Sequence, residues 1–287
     1  MGDTVTIERQ ATPIQPRVVD LKRGRVLFVS DIHDRHEAFE YLVRVFRERV
    51  ENGEEISLVV GGDSERRVTF DRLWNLKQNH GDRVVLLAGN YECALIMGFL
   101  SVGSYTGDSE MEPVFANIAD DLGERFAAYV RFFRSMSFVA RTRNGIVLTH
   151  AGGSPKVKNV SEIGHFDWDT YVEQYAGGEF DRFLQTPLGD FLWNQDLRKR
   201  SARLFLKATS DRKVEAVISV SGHAHLSYLK SSWTRDGVGK IGKQILISNF
   251  FNNRFPGVYY YLEIDTERCY RSVDDFLVGR EIKQFTL

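Results

Sequence analysis

Three apolar runs in the N-terminal part of this chain each stop at a motif of glycine or a charged residue, and stretches of helical spacing separate them. Arg25-Val26-Leu27-Phe28-Val29-Ser30 ends at Asp31, Ile56–Val60 ends at Gly61-Gly62-Asp63, and Val84–Ala88 ends at Gly89-Asn90. Short apolar runs with no polar alternation read as strands buried on both faces. Between them, residues 36–50 place Phe39, Leu42, Val43 and Phe46 one helical turn apart, and residues 68–79 do the same with Phe70, Leu73 and Leu76. A β-α-β-α-β order requires parallel strands joined by right-handed crossovers. Ligands in such sheets gather at the carboxyl ends of the strands, where all three motifs fall.

Further along, residues 92–136 read as helical with a glycine-rich interruption near 103–107, and Leu122–Met136 is amphipathic. Phe138–Arg141 and Gly145–Thr149 read as a hairpin turning at Asn144-Gly145. Residues 155–212 are mixed and are expected to supply helices and loops that cap a site. Val214–Val220 reads as a strand ending at Gly222-His223, and Lys243–Ser248 with Gly257–Ile264 as a second sheet. Residues 1–22 read as a flexible lead-in and 23–287 as a single domain, with no repeat or linker dividing it.

Composition narrows the function classes. A net charge of −1 gives no global attraction for nucleic acid or an anionic membrane. Two cysteines, Cys93 and Cys269, exclude a disulfide framework but permit one bridge. The first twenty residues lack the apolar core of a signal peptide, and no stretch reaches the roughly 20 apolar residues of a membrane span. The cytoplasm is the expected compartment.

Two later motifs join the first three: Thr149-His150 and Gly222-His223-Ala224-His225. Each alone is a weak signal. In order, each past an apolar run, they assemble two carboxylates, imidazoles and an amide. Imidazole with carboxylate suits Mn²⁺, Fe, Zn²⁺ or Ni²⁺, whereas Ca²⁺ takes oxygen ligands and structural zinc takes thiolates. Asp63 is the natural bridging carboxylate of a two-metal site.

This ordered set resembles the calcineurin-like metallophosphoesterases, and within them the phosphoprotein phosphatase branch and its bacterial relatives, which include diadenosine tetraphosphatases. Asp31-Ile32-His33 matches the opening motif of that branch. Gly89-Asn90-Tyr91-Glu92-Cys93-Ala94 follows its Gly-Asn-His-Glu signature. Ile146–Gly153 is similar to the segment leading to its His-Gly-Gly or His-Ala-Gly, and Phe191-Leu192-Trp193-Asn194 to its Leu-Trp signature. The resemblance spans roughly residues 25–264. It implies an α/β (α+β) fold: a four-layer β-sandwich flanked by helices, with helical and loop cap insertions and the metals at the sandwich rim. It implies one metal on Asp31, His33, Asp63 and His225, and a second on Asp63, Asn90, His150 and His223. Mn²⁺ is the expected ion at both, with Fe, Zn or Ni as alternatives.

The second motif departs from the family pattern Gly-Asp-x-Val-Asp-Arg-Gly, reading Gly62-Asp63-Ser64-Glu65-Arg66-Arg67-Val68. Arg67 keeps the phosphate-binding arginine, whose paired donors match phosphate oxygens. Arg66 replaces the aspartate that, in the family, orients the histidine of Gly-Asn-His-Glu, and Tyr91 replaces that histidine. Both halves of the general-acid pair are therefore gone. Tyr91 is a poor acid at an ordinary pKa near 10 but can hydrogen-bond a phosphate oxygen.

The resulting expectation is a metal-dependent phosphomonoesterase of the serine/threonine or tyrosine protein phosphatase type, using a hydroxide that bridges the metals. Asp63, Asn90, Arg67 and Tyr91 are the catalytic candidates. Arg67 and Asn90 are expected on the phosphoryl oxygens, with Arg198 or Arg200 as a second clamp. Phosphorylated protein or a small phosphoester is the expected partner. A dinucleoside polyphosphate or nucleotide hydrolase is one alternative, and a metal-binding pseudoenzyme acting as an interaction module is another. Asp34, His36 and His165 read as solvated residues, and Asn252 and Asn253 carry little weight.

Overall fold

The computed structural model describes residues 15–100, 114–176, 178–224, 226, 229–235, 237–248 and 257–287. The elements run β1 (Val18–Leu21), β2 (Arg25–Val29), α1 (His36–Glu51), β3 (Ile56–Val60), α2 (Arg67–His80), β4 (Val84–Leu86), α3 (Asn90–Met97), α4 (Val114–Leu122), α5 (Phe126–Arg134), β5 (Val139–Thr142) and β6 (Ile146–Leu148). There follow α6 (Val160–Gly164), α7 (Trp168–Tyr175), α8 (Phe180–Leu184), α9 (Pro187–Trp193), α10 (Lys199–Thr209), β7 (Ile218–Ser221), β8 (Thr234–Arg235), β9 (Val238–Ile241), β10 (Gln244–Leu246), β11 (Val258–Asp265) and β12 (Ile282–Thr286).

Two sheets form, a five-stranded one ordered β12-β11-β2-β3-β4 and a seven-stranded one ordered β1-β5-β6-β7-β10-β9-β8. The strands β2, β3 and β4 are parallel, with α1 and α2 as their crossovers. Their unbroken apolar character follows from burial on both sides. Val26, Phe28, Val59 and Val85 share one core with Ile146, Leu148, Ile218, Val220 and Ile245 of the other sheet. The alternate residues Leu27, Val29, Leu58, Val60, Val84 and Leu86 share another with Phe39, Leu42, Val43 and Phe46 of α1 and Phe70, Leu73 and Trp74 of α2. Each such side chain contributes about 1.5–3 kcal/mol through burial. Strand periodicity thus splits one run between two cores.

The mixed segment 155–212 resolves into α6–α10. Phe166, Trp168 and Phe191 of this region pack their rings against Phe138, which precedes β5. Every residue of α3 is buried, as a helix enclosed on all sides demands. Cys93 on α3 is buried and Cys269 is exposed; both are free, so the permitted bridge is not made.

Two expectations are corrected. The lead-in expected over 1–22 contains β1, which pairs parallel with β5 from Val18↔Val139 to Leu21↔Thr142. Arg141 anchors it, reaching Asp20 at 2.7 Å and Asp211 at 2.9 Å. The segments 243–248 and 257–264 do not share a sheet. β10 pairs with β7, whereas β11 runs antiparallel to β2 with Leu262 opposite Phe28 and Ile264 opposite Val26. The reason is burial: Leu262 and Ile264 complete the core between the sheets, which a place beyond β10 would not provide. The hairpin at Asn144-Gly145 forms as expected, with Gly145 at φ 86°. The interruption at 103–107 lies outside the described residues.

Candidate metal centre

The motifs converge on one rim. Asp31 and His33 follow β2, Asp63 follows β3, and Asn90 opens α3 just past β4. His150 follows β6 and His223 follows β7. The five-stranded sheet therefore supplies Asp31, His33, Asp63 and Asn90, and the seven-stranded sheet supplies His150 and His223. Asp31, His33, Asp63, Asn90 and His150 are buried, and His223 is half-buried.

Ligand atoms of Asp31, His33 and Asp63 lie within 4.8 Å of one another, as do those of Asp63, His150 and His223. Asp63 belongs to both groups. Among the described residues, the non-glycine residues with positive φ are Asp31 (53°), His33 (46°), Asp63 (57°) and His223 (61°). That backbone region costs an L-residue about 1–2 kcal/mol, and its confinement to this rim marks a site held against local preference.

Electrostatics identify what the rim can hold. Burial pushes Asp31 up to about 6 and Asp63 well above the carboxylate range, and the neighbouring Glu92 and Asp31 carboxylates raise Asp63 further. Burial, reinforced by His223, holds His150 neutral well below the usual imidazole value. The His150 Nδ1–H faces the Gly61 carbonyl at 2.7 Å, which leaves the Nε2 lone pair aimed inward. The side-chain oxygen of Asn90 faces acceptors alone. Hydrogen bonding by itself would turn the amide so that its nitrogen donated to Asp63 Oδ1 and Oδ2 at 3.0 and 2.9 Å, His150 Nε2 at 2.8 Å and His223 Nδ1 at 3.1 Å. Lone pairs converging on one point are what a cation needs, and the mixed N and O donors fit divalent transition ions.

Two carboxylates outside the expected set brace this arrangement. Glu92 accepts from the backbone N–H groups of Gly89 at 2.9 Å, Asp63 at 3.1 Å and Ser64 at 3.3 Å, tying the second motif to the third. Its place three residues after the Gly89 cap is the capping-box spacing, a signal the sequence carries. Glu65 Oε1 lies 2.5 Å from His33 Nδ1, and no spacing rule announces it. The Asp31 carboxylate also accepts the His223 backbone N–H at 2.8 Å, joining the two sheets. A Cβ at Gly222 would fall 2.2 Å from Asp31 Oδ2 and from Ser30 Oγ. Gly222→Ala is therefore expected to cost about 1–3 kcal/mol through overpacking and to impair metal uptake, measured by denaturant melts and metal titration. Unchanged uptake would show that the crossing tolerates the methyl.

The other expected residues fall as follows. Tyr91 is buried, its ring edge-on to His33 and to Phe115, each at 5.0 Å between centroids. It packs against His33 from the α3 side. Arg66 caps α2 and Arg67 opens it; both are exposed, and the Arg67 backbone N–H is held by Asp121 at 2.8 Å. Arg198 caps α10 and pairs with Asp196 at 2.6 Å, and Arg200 is exposed on the same first turn. Asp34 is exposed beside Arg35, and His165 bonds Ser161 at the end of α6. His36 is half-buried, with Thr69 Oγ1 at 3.4 Å from its Nδ1. His225, Asn252 and Asn253 lie outside the described residues.

The family model for calcineurin-like phosphoesterases matches residues 24–244, a span that takes in all five motifs. The chain belongs to that family. It is a metallophosphoesterase, a phosphoester hydrolase whose family binds a pair of divalent metals. Its fold is similar to a protein serine/threonine phosphatase from Saccharomyces cerevisiae, at 13% identity and a TM-score of 0.55, over 95% of this chain and 84% of that one. It is also similar to a cold-active protein-tyrosine phosphatase from Shewanella sp., at 15% identity and a TM-score of 0.55, over 96% of this chain and 83% of that one. No curated protein matches the chain. No helix among the described residues is long and apolar enough to cross a membrane.

Proposed function

We propose that this metallophosphoesterase hydrolyses phosphate monoesters on protein or small-molecule substrates, with a pair of divalent ions at the rim. The observation that carries this reading is the convergence of acceptors from Asp63, His150 and His223 within 3.1 Å of the Asn90 amide, at the point where the two ligand groups share Asp63. A divalent metal pair held there would supply an activated water nucleophile and offset charge on a phosphoryl group. Asp31 and His33 would hold one ion, His150, His223 and Asn90 the other, with Asp63 between them. His225 belongs to the proposed set on the strength of its motif. Mn²⁺ is the proposed ion and the cytoplasm the proposed compartment. Arg67, exposed at the start of α2, is the proposed guanidinium clamp for the phosphoryl oxygens, while Arg198 is committed to Asp196. No protein nucleophile is needed.

Departure of the leaving group is where this chain differs. The Tyr91 ring is packed between His33 and Phe115, and an exposed arginine, Arg66, stands where the family has aspartate, so this reading has no imidazole–aspartate acid pair. Esters with good leaving groups, such as aryl phosphates, need that proton least. Activity is therefore expected on p-nitrophenyl phosphate and phosphotyrosine peptides ahead of phosphoserine peptides. The panel includes bis-p-nitrophenyl phosphate and diadenosine tetraphosphate, all with Mn²⁺. No turnover of any of these by chain shown to hold metal would sink the proposal, and preference for the dinucleotide would redirect it.

The double variant Tyr91→His, Arg66→Asp restores both halves of the pair. It is expected to raise kcat on alkyl phosphates by about 10²-fold, the low end of a general acid's contribution, and to leave aryl phosphates nearly unchanged. Equal or lower activity on both classes would count against the missing acid as the limit.

A further inference from the structure

We propose that Glu65 is a positioning residue for His33, making the Asp31/His33/Asp63 group the tighter of two metal sites. The inference rests on the metal-centre reading above and adds an asymmetry to it. Both buried histidines turn Nε2 inward: His150 Nε2 lies 3.5 Å from Asp63 Oδ1, and His33 Nε2 lies 3.9 Å from Asp63 Oδ2. What stands behind each ring differs. His150 Nδ1 meets a neutral backbone carbonyl, that of Gly61, at 2.7 Å. His33 Nδ1 meets the carboxylate of Glu65 at 2.5 Å.

A carboxylate drawing on the imidazole N–H moves electron density onto the opposite nitrogen and makes it a stronger donor to a metal. A peptide carbonyl fixes the tautomer with less of that effect. The Glu65 contact is built into the backbone. The His33 N–H donates to the Asp63 carbonyl at 2.7 Å, and the Glu65 N–H donates to the His33 carbonyl at 3.4 Å. His33 and Ser64 form a parallel bridge, so Glu65 has a fixed place beside the ring. Tyr91 stands edge-on to the same ring, with the planes at 88°. Glu65 occupies the position at which the family's second motif has valine, so the pair is a property of this chain rather than of the motif.

The test uses the full chain, stripped of metal and titrated with Mn²⁺ by calorimetry, in wild-type, Glu65→Ala and Glu65→Gln forms. Imidazole nitrogen spectra of the metal-free proteins report the His33 tautomer. Wild type is expected to take up two ions. Glu65→Ala should weaken one of them by about 10–100-fold, leave the other within about twofold, and release His33 from the Nδ1–H form. Glu65→Gln still accepts from Nδ1–H but carries no charge, so it should keep the tautomer and show an intermediate loss. It also serves where the alanine variant folds poorly. Both ions unchanged, or both weakened alike, in either variant would overturn the proposal. Wild type taking up no Mn²⁺ would overturn the metal-centre reading instead. In that event an unchanged His33 spectrum in Glu65→Ala would overturn the positioning role on its own.

Discussion

Asp63→Asn should abolish catalysis while leaving the fold intact. Among the described residues, Asp63 is the side chain common to both candidate ligand groups, and an amide in its place removes the negative charge that would hold two cations together. The metals' stabilisation of a phosphoryl transition state is worth several kcal/mol, so kcat/KM on p-nitrophenyl phosphate is expected to fall by at least about 10³-fold. The metal-free variant should melt no lower than wild type. Asp63 is buried beside Glu92 and Asp31, and without a cation its charge opposes folding. Its Oδ1 also accepts the Tyr91 backbone N–H at 3.2 Å, a role an asparagine oxygen can keep. Metal uptake, turnover and melting temperature together check this. A variant that keeps both metals and activity would show that Asp63 is not the shared ligand.

Chelation should destabilise the loaded protein, and more so at neutral pH than at pH 5. An ion present at 100 times its dissociation constant contributes about 2.7 kcal/mol. For a chain of this size that is about 4–5 °C in Tm for a single site. The sign of the pH dependence follows from the buried carboxyls. Asp31 is pushed up to about 6 and Asp63 is raised further by burial and its acidic neighbours. A raised carboxyl contributes stability below its unfolded value near 4 and loses it as pH rises through the folded value. The metal-free protein is therefore penalised above about pH 6, where the deprotonated carboxylates bind metal most strongly. The gap in Tm between loaded and chelated protein should widen from pH 5 to pH 7.5. A constant gap would argue that these carboxylates do not ligate the metal.

The parts of the fold legible in the sequence are those in which neighbours along the chain are also neighbours in space. β2, β3 and β4 read as apolar runs because both of their faces are covered, and their motifs read because each follows its strand directly. β1 was hidden for the opposite reason. Val18-Val19-Asp20-Leu21 is a short strand at a sheet edge, and its partner β5 lies more than a hundred residues away. The destination of β11 was equally hidden, since its apolar pattern fits either sheet and only the shape of the shared core decides. Within the site, residue types announced Asp31, His33, Asp63, Asn90, His150 and His223. Glu92 was readable from its capping spacing. Glu65 was not, because it is defined by a crossing of two loops that meet only after β2 and β3 have paired.

The division of ligands between the sheets has a mechanical consequence. With Asp31, His33, Asp63 and Asn90 on one layer and His150 and His223 on the other, a metal pair held as proposed would act as a rivet through the sandwich at a single rim. The layers otherwise meet through the shared apolar core and through polar crossings that include the His223 backbone N–H to Asp31 and the His150 Nδ1–H to the Gly61 carbonyl; a shift of one residue would turn the motifs on that strand away from those of the other sheet. Loading with metal would thus lock the layers in register at that rim. The same edge becomes the first place for the sandwich to part once the metal is withdrawn.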